Sequence, residues 1–304
     1  MRNAFLKALE EVAAKDERVN LVVGDLGFSV VEPFMQRWPD RFVNAGVAEQ
    51  NMTGLAAGMA LSGRVVFTYS IANFPTLRCL EQIRNDVCYH HANVKIVSVG
   101  GGLAYGALGA SHQATEDLAV LRALPGMVVV APGDPVETAA AVQALVDHDG
   151  PCYLRLGKAG EPVVHQKPVE FVIGKAIRVS EGSDVTIIST GGVLALCVKA
   201  AKELESSGVS VRLVSMPTLK PLDREAVLAA ARETKGLVTV EEHTAIGGLG
   251  SAVAETLTAA DSRAKLRVVA LPDRFCRVVG SQDHLREASG LTPAAVVKAA
   301  REIA

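Results

Sequence analysis

Short apolar runs bounded by Gly, Pro and Asp recur along the first half of the chain: "NLVVGDLG", "RVVFTYS", "VKIVSVGG", "MVVVAPGD" and "CYLRLG". Between them lie stretches such as "LRCLEQIRNDVCYHH" and "VETAAAVQALVDH", in which apolar residues return at helical spacing. That alternation predicts parallel strands covered by helices. The segment from Gly157 to Lys175 breaks the rhythm with prolines, glycines and mixed charge, and is expected to be a linker over residues 161–175. Beyond it the alternation restarts, with strands "DVTIIST", "VSVRLVSM", "GLVTVEEH" and "KLRVVALP" and helices "VLALCVKAAKELESSG", "REAVLAAARETK", "GLGSAVAETLTAA" and "PAAVVKAAREI". The predicted fold class is α/β, as two consecutive open, mostly parallel α/β sandwich domains over residues 1–160 and 176–304. In such sheets ligands gather at the carboxyl ends of strands, so the turns that follow them are where chemistry is expected.

Composition narrows the function. At 304 residues the chain is long for one core and comfortable for two. With 49% hydrophobic residues and a formal charge of -2, it has no basic excess for a phosphate backbone, which argues against nucleic acid. Its five cysteines are scattered and form no CxxC pair, so neither a zinc site nor a disulfide framework is expected, and a reducing cytoplasm fits. The opening "MRNAFLKALEEVAAKDERVN" mixes apolar and charged residues at helical spacing, unlike a signal peptide, and no membrane span is expected.

The stretch "FVNAGVAEQNMTGLAAGMALSG" places Glu49 in the first turn of a helix lined by Gly54, Ala56, Ala57, Gly58 and Ala60. Most glutamates there simply meet the helix macrodipole. Small neighbours, however, let another backbone come close and bury that turn, and a buried carboxylate needs a partner. A carboxyl group out of water holds its proton more tightly, which suits sharing it with a ligand nitrogen. Tyr69 and Phe74, after a strand end, are candidate stacking platforms, with a core role as the ordinary alternative. His112 closes the glycine-rich loop "GGGLAYGALG" and is a candidate acid, base or donor. In "EEHTAIGGLGSAVAE" a dinucleotide fingerprint fails at Val253, where Gly or Ala is needed. His243 in the same stretch reads as structural.

Taken together, "NAGVAEQNMTGLAAGMAL", "SHQATEDLAVLRALPGMVVVAPGDPVE", "DGPCYLRLGK", "KPLD" and "VEEHTAIGGLGSAVAE" resemble the C-terminal half of transketolase, a thiamine diphosphate enzyme, in order and over essentially the whole chain. The resemblance implies that the first domain binds the aminopyrimidine ring. Glu49 would hydrogen-bond a ring nitrogen and favour the imino tautomer that deprotonates the thiazolium carbon. It further implies a pyrimidine-stacking role for Phe74, and positions near the thiazolium and the substrate for Asp25 and Ser29. His112 would bond substrate hydroxyls, and Lys158 would stand where relatives place a phosphate-gripping arginine. Leu108 replaces an aspartate that reads a substrate hydroxyl, and the Gly100–Gly101 region replaces a histidine, which puts the usual sugar specificity in question.

The same resemblance locates what is missing. Family members bind Mg2+ and the cofactor diphosphate through a GDG and a later Asn in their N-terminal half, and neither "VGDLG" nor "PGDP" supplies them. Because the chain starts with Met1 at the first helix of this half, it is expected to be a natural subunit. Its expected partner is an N-terminal subunit carrying the diphosphate-binding domain and the Mg2+ site, in an α2β2 heterotetramer. The expected activity is ketol transfer between sugar phosphates. Alternatives are the β subunit of a 2-oxoacid dehydrogenase E1 component, a 1-deoxyxylulose-5-phosphate synthase-like enzyme, and a non-catalytic module that kept the fold.

Overall fold

The computed structural model describes residues 1–304. Its strands are β1 (Val19–Val23), β2 (Phe42–Asn44), β3 (Val65–Ile71), β4 (Val94–Val99), β5 (Val128–Val130), β6 (Cys152–Leu156), β7 (Ile177–Ser180), β8 (Val185–Thr190), β9 (Val211–Ser215), β10 (Thr218–Lys220), β11 (Gly236–Thr244) and β12 (Lys265–Leu271). The first sheet runs β10-β5-β6-β4-β3-β1-β2 and the second β12-β11-β8-β9-β7. All pairings are parallel except β10 with β5 and β7 with β9. The apolar runs are unbroken because β1, β4, β5, β6, β8 and β9 are buried at every position, as strands sandwiched between helices must be.

The edges were not legible in the apolar pattern. β7 is only half-buried and β10 is three residues long, so neither shows a run of its own. β10 also leaves the half of the chain it belongs to. It pairs with β5 of the first sheet, with Thr218 opposite Val130, and Lys220 Nζ donates to the carbonyl of Arg122 at 3.0 Å. The two halves therefore share a core. One cluster of 30 buried residues runs from Val22 and Met52 through Leu118 and Tyr153 to Val214, Leu249 and Leu257.

A polar seam fastens the same junction. Arg155 on β6 is buried, its Nε donating to Asp117 Oδ2 at 2.8 Å and its terminal nitrogen to the carbonyls of Ala114 at 2.8 Å and Glu242 at 2.9 Å. Glu242 on β11, also buried, accepts from the Leu103 backbone N–H at 2.6 Å, from Gln282 at 2.9 Å and from Arg286 Nε at 2.6 Å. The loop glycines exist for this packing: a Cβ on Gly101 would lie 2.7 Å from Arg155 Nε, and one on Gly102, at φ +65, would lie 2.5 Å from the Glu242 carboxylate. The "GGGLAYGALG" loop is thus tightly turned against the second half.

The linker is also held. Asp134 caps the helix Pro135–Asp147 through Oδ1 and accepts from the Val164 and His165 N–H groups through Oδ2, both at 2.9 Å. His165 Nε2 meets Glu137 Oε1 at 2.8 Å, and that hydrogen bond raises the histidine pKa above its usual value. Asp134, Glu137 and His165 converge closely enough to hold an ion, but both Asp134 oxygens accept backbone N–H groups, and the Glu137 oxygens take the Gly133 N–H and His165. The cluster reads as a clasp.

Two outcomes follow. Arg155→Met strips the partner from the buried Asp117 carboxylate, and urea unfolding is expected to record a loss of about 3 to 5 kcal/mol. His165 has a folded pKa above its unfolded value of about 6.5, so its tie to Glu137 contributes fully below that pH and is lost as pH rises through the folded value. The stability gap between the native chain and His165→Gln, measured by urea unfolding across that range, is expected to narrow as pH rises.

Candidate active site

Gly24 follows β1, and a Cβ there would lie 3.3 Å from Glu49 Cγ and 3.5 Å from Ser70 Oγ. Its bare backbone lets the helix Glu49–Leu61 begin directly against the carboxyl ends of β1 and β3. Glu49 is 2% exposed there. Met52, Ala56, Ala57 and Ala60 carry the inward face, whereas Gly54 and Gly58 meet nothing within 4 Å. The close approach foreseen for this helix is made within the chain by its alanines.

The partner that a buried carboxylate demands is Arg78, whose NH1 donates to Glu49 Oε2 at 2.7 Å. Sequence reasoning missed it. The connection begins at Ala72, which adopts φ 46 directly after β3, a conformation alanine rarely takes. Ser98 Oγ and Thr76 Oγ1 bond its carbonyl at 2.8 and 3.2 Å, while its own N–H donates to Val99. The chain then turns through Asn73 and Phe74 into the single turn Leu77–Cys79, which lays the Arg78 guanidinium over the Phe74 ring, 4.4 Å from its centroid. His112 packs edge-on against the same ring at 5.1 Å, with its Nδ1 3.0 Å from Ser111 Oγ. Glu49 and Phe74, widely separated in sequence, therefore meet one guanidinium, and His112 joins them through the Phe74 ring.

This cluster also has unused hydrogen-bonding capacity. Asn73 donates to the Gln113 carbonyl, yet Asn73 Oδ1 and Gln113 Nε2 are buried without partners, as is Ser70 Oγ beside Gly24. Buried orphans of this kind ask for a ligand or ordered water. A buried carboxylate, an aromatic face and unused donor and acceptor atoms suit a flat, nitrogen-rich ring, so the residues present fit the pyrimidine moiety that the resemblance implies.

The remaining candidates spread outward. Asp25, at φ 53, exchanges hydrogen bonds with Asn44 on β2, donating its N–H at 3.1 Å and accepting from Nδ2 at 2.9 Å, at the same strand ends as Glu49. Ser29 is exposed, and its N–H donates to Glu32 at 2.7 Å. Lys158 lies on the surface with Nζ 5.0 Å from the Tyr105 ring centroid, apart from the Glu49 cluster. Leu108 is exposed. Tyr69 requires correction as a stacking platform. It is 2% exposed and stacks on Phe5 at 6.2 Å inside the core, and burial pushes its hydroxyl well above the ordinary phenol pKa. A ring with no free face cannot hold a ligand.

The second half carries buried chemistry of a structural kind. Glu241 accepts from the N–H groups of Leu249 at 2.7 Å and Gly250 at 2.8 Å, so its carboxylate fills the helix N-terminus where a dinucleotide would place its pyrophosphate. Burial pushes its pKa up to about 7. His243 is buried, accepts from the Ala119 N–H through Nε2, and donates from Nδ1 to the Thr244 carbonyl at 2.8 Å. It is a structural histidine, as expected. A cleft of about 670 Å³ opens between the halves, and several of its charged groups are already paired: Arg155 with Asp117, Glu242 with Arg286, and Glu161 with the chain's amino terminus.

The class so defined is a two-sheet α/β protein whose candidate ligand site lies on the strand ends of the first half while the second half helps to brace it. Residues 1–160 match the family described as transketolase, pyrimidine binding domain, and residues 174–296 match transketolase, C-terminal domain. The chain belongs to the transketolase family, which implies thiamine diphosphate as the family's cofactor. It is 40% identical over 303 residues to a subunit of the apulose-4-phosphate transketolase of Phocaeicola vulgatus, spanning 99% of this chain and 96% of that one. It is 39% identical to 6-deoxy-6-sulfo-D-fructose transketolase subunit SqwH of Clostridium sp., over 100% of this chain and 94% of that protein. Among solved structures, a split gene transketolase described as an inactive beta4 tetramer superposes with a TM-score of 0.90 at 40% identity, covering 99% and 97% of the two chains. No helix is long and apolar enough to cross a membrane.

Proposed function

We propose that this chain is the C-terminal subunit of a split, thiamine diphosphate-dependent transketolase. It transfers a two-carbon ketol unit from a ketose phosphate to an aldose, and is active with a partner subunit that supplies the diphosphate and Mg2+ site. The observation that carries this reading is Glu49, a carboxylate buried at a helix start and paired with an arginine that lies over the Phe74 ring, against which His112 also packs. Two near-full-length relatives named as transketolase subunits support it over a 2-oxoacid dehydrogenase or a synthase with both halves in one chain. The α2β2 assembly belongs to the same proposal, as does a cytoplasmic site, with which five unpaired cysteines agree.

When bound, thiamine diphosphate supplies the carbon nucleophile that takes up the two-carbon unit. The chain's own residues do the rest. Glu49 holds a proton between its carboxylate and a ring nitrogen, an exchange that its burial keeps from being short-circuited by water. Phe74 fixes the plane of the ring by stacking. His112, packed against Phe74 and half-exposed, would bond substrate hydroxyls. Asp25 and Ser29, in the segment after β1, would serve the thiazolium and the substrate, as the resemblance implies. Lys158, exposed beside Tyr105, would offer a point charge for a substrate phosphate, with less geometric selectivity than an arginine fork. The exposed Leu108 provides no polar contact to a sugar hydroxyl, which favours a donor or acceptor that differs from the common pentose phosphates at that carbon.

Glu49→Gln is expected to retain assembly with the proposed partner subunit while ketol transfer falls by about 10²-fold or more, the size of a lost acid–base contribution. Coupled turnover assays and size-exclusion chromatography of the mixed subunits check both halves of that statement. Undiminished turnover would overturn the assignment.

A further inference from the structure

Arg78 lies where the proposed function puts a ligand. Its guanidinium is flat, it stacks 4.4 Å from the Phe74 centroid, and its NH1 donates to Glu49 Oε2 at 2.7 Å. Planarity, a stacking face and an N–H aimed at a carboxylate are properties that a guanidinium shares with an aminopyrimidine. One carboxylate oxygen and one ring face cannot serve both at once. Resting on the reading of Glu49 and Phe74 as the pyrimidine seat, we propose that Arg78 is an internal stand-in for the cofactor ring, occupying its seat in the unliganded chain and leaving it when the ring enters.

The surroundings suit such an exchange. Arg78 rises from the one-turn segment Leu77–Cys79 and its side chain is 44% exposed, whereas the Glu49 it reaches is 2% exposed. The head group thus comes in from solvent over Phe74 and can return to it without unpacking the core. While in place it spares the buried Glu49 carboxylate from standing unpaired, which gives the unliganded site a defined resting state. It also weakens binding. A ligand that needs the open state binds with its intrinsic dissociation constant divided by the open fraction, so a chain closed nine times in ten binds about tenfold more weakly than one without the plug.

The test is calorimetric titration of thiamine diphosphate, with Mg2+, into the chain assembled with its partner subunit. Arg78→Met keeps the stem and removes both the charge and the donors, and is expected to tighten binding by about tenfold. Arg78→Lys keeps the charge but loses the flat stacking face, and is expected to tighten it by less. Glu49→Gln is measured in the Arg78→Met background, where no plug remains, and is expected to weaken binding relative to Arg78→Met alone. Unchanged or weaker binding by Arg78→Met, with Glu49→Gln weakening it further, would overturn the stand-in role and leave the Glu49 reading intact. Binding undisturbed by Glu49→Gln in that background would instead remove that reading, and this inference with it. Because Arg78 is half-exposed, circular dichroism of the variants is expected to match that of the native chain.

Discussion

A guanidinium with almost no contact with water organises this molecule. Arg155 on β6 reaches Asp117 at the start of the helix Asp117–Ala123, the Ala114 carbonyl in the loop before it, and the Glu242 carbonyl on β11 of the other sheet. Burying such a charge is unfavourable unless all around it answers, and here a carboxylate and two carbonyls do. The requirement fixes how the two sheets face each other, and it forces glycine at positions 101 and 102, where a side chain would collide with Arg155 or Glu242. The glycine-rich loop that ends at His112 is therefore placed by the interdomain seam.

From that loop the constraint passes to the site. Gln113 accepts a hydrogen bond from Asn73 through its carbonyl, which ties the loop's end to the turn after β3. Phe74, in that turn, then has His112 against its edge and Arg78 over its face, and Arg78 in turn reaches Glu49. The candidate site on the strand ends of the first sheet thus depends on a seam to which both halves contribute, Arg155 and Asp117 from the first and Glu242 and Arg286 from the second. A shared apolar core and the exchange of β10 onto the first sheet make the same point with non-polar contacts and backbone pairing.

Polar groups in this protein sort by whether their hydrogen-bonding capacity is filled. Glu241, Glu242, Asp134 and Glu137 are buried carboxylates with both oxygens committed to backbone N–H groups, an arginine, a glutamine or a histidine, and they act as clasps. Around Glu49 the pattern differs. The carboxylate has one half-exposed partner, while Asn73 Oδ1, Gln113 Nε2 and Ser70 Oγ have none. That contrast separates the proposed active site from other acidic clusters that look similar on residue type alone.

The one-dimensional pattern settled the strands that are buried on both faces, because continuous apolar character is a local property that each run displays alone. It also settled that Glu49 would be buried, since the small residues around it are neighbours along one helix. The short edge strands β7 and β10, the burial of Tyr69 against Phe5, and the choice of Arg78 as partner to Glu49 were decided only by the tertiary structure. Each depends on which distant segments meet: an edge strand shows no hydrophobic run, an aromatic near a strand end reads alike whether its ring faces core or cleft, and the arginines of "FPTLRCLEQIR" carry the same charge until the fold aims one of them. Charge and burial select a partner by distance in space, and that distance is not written in sequence order.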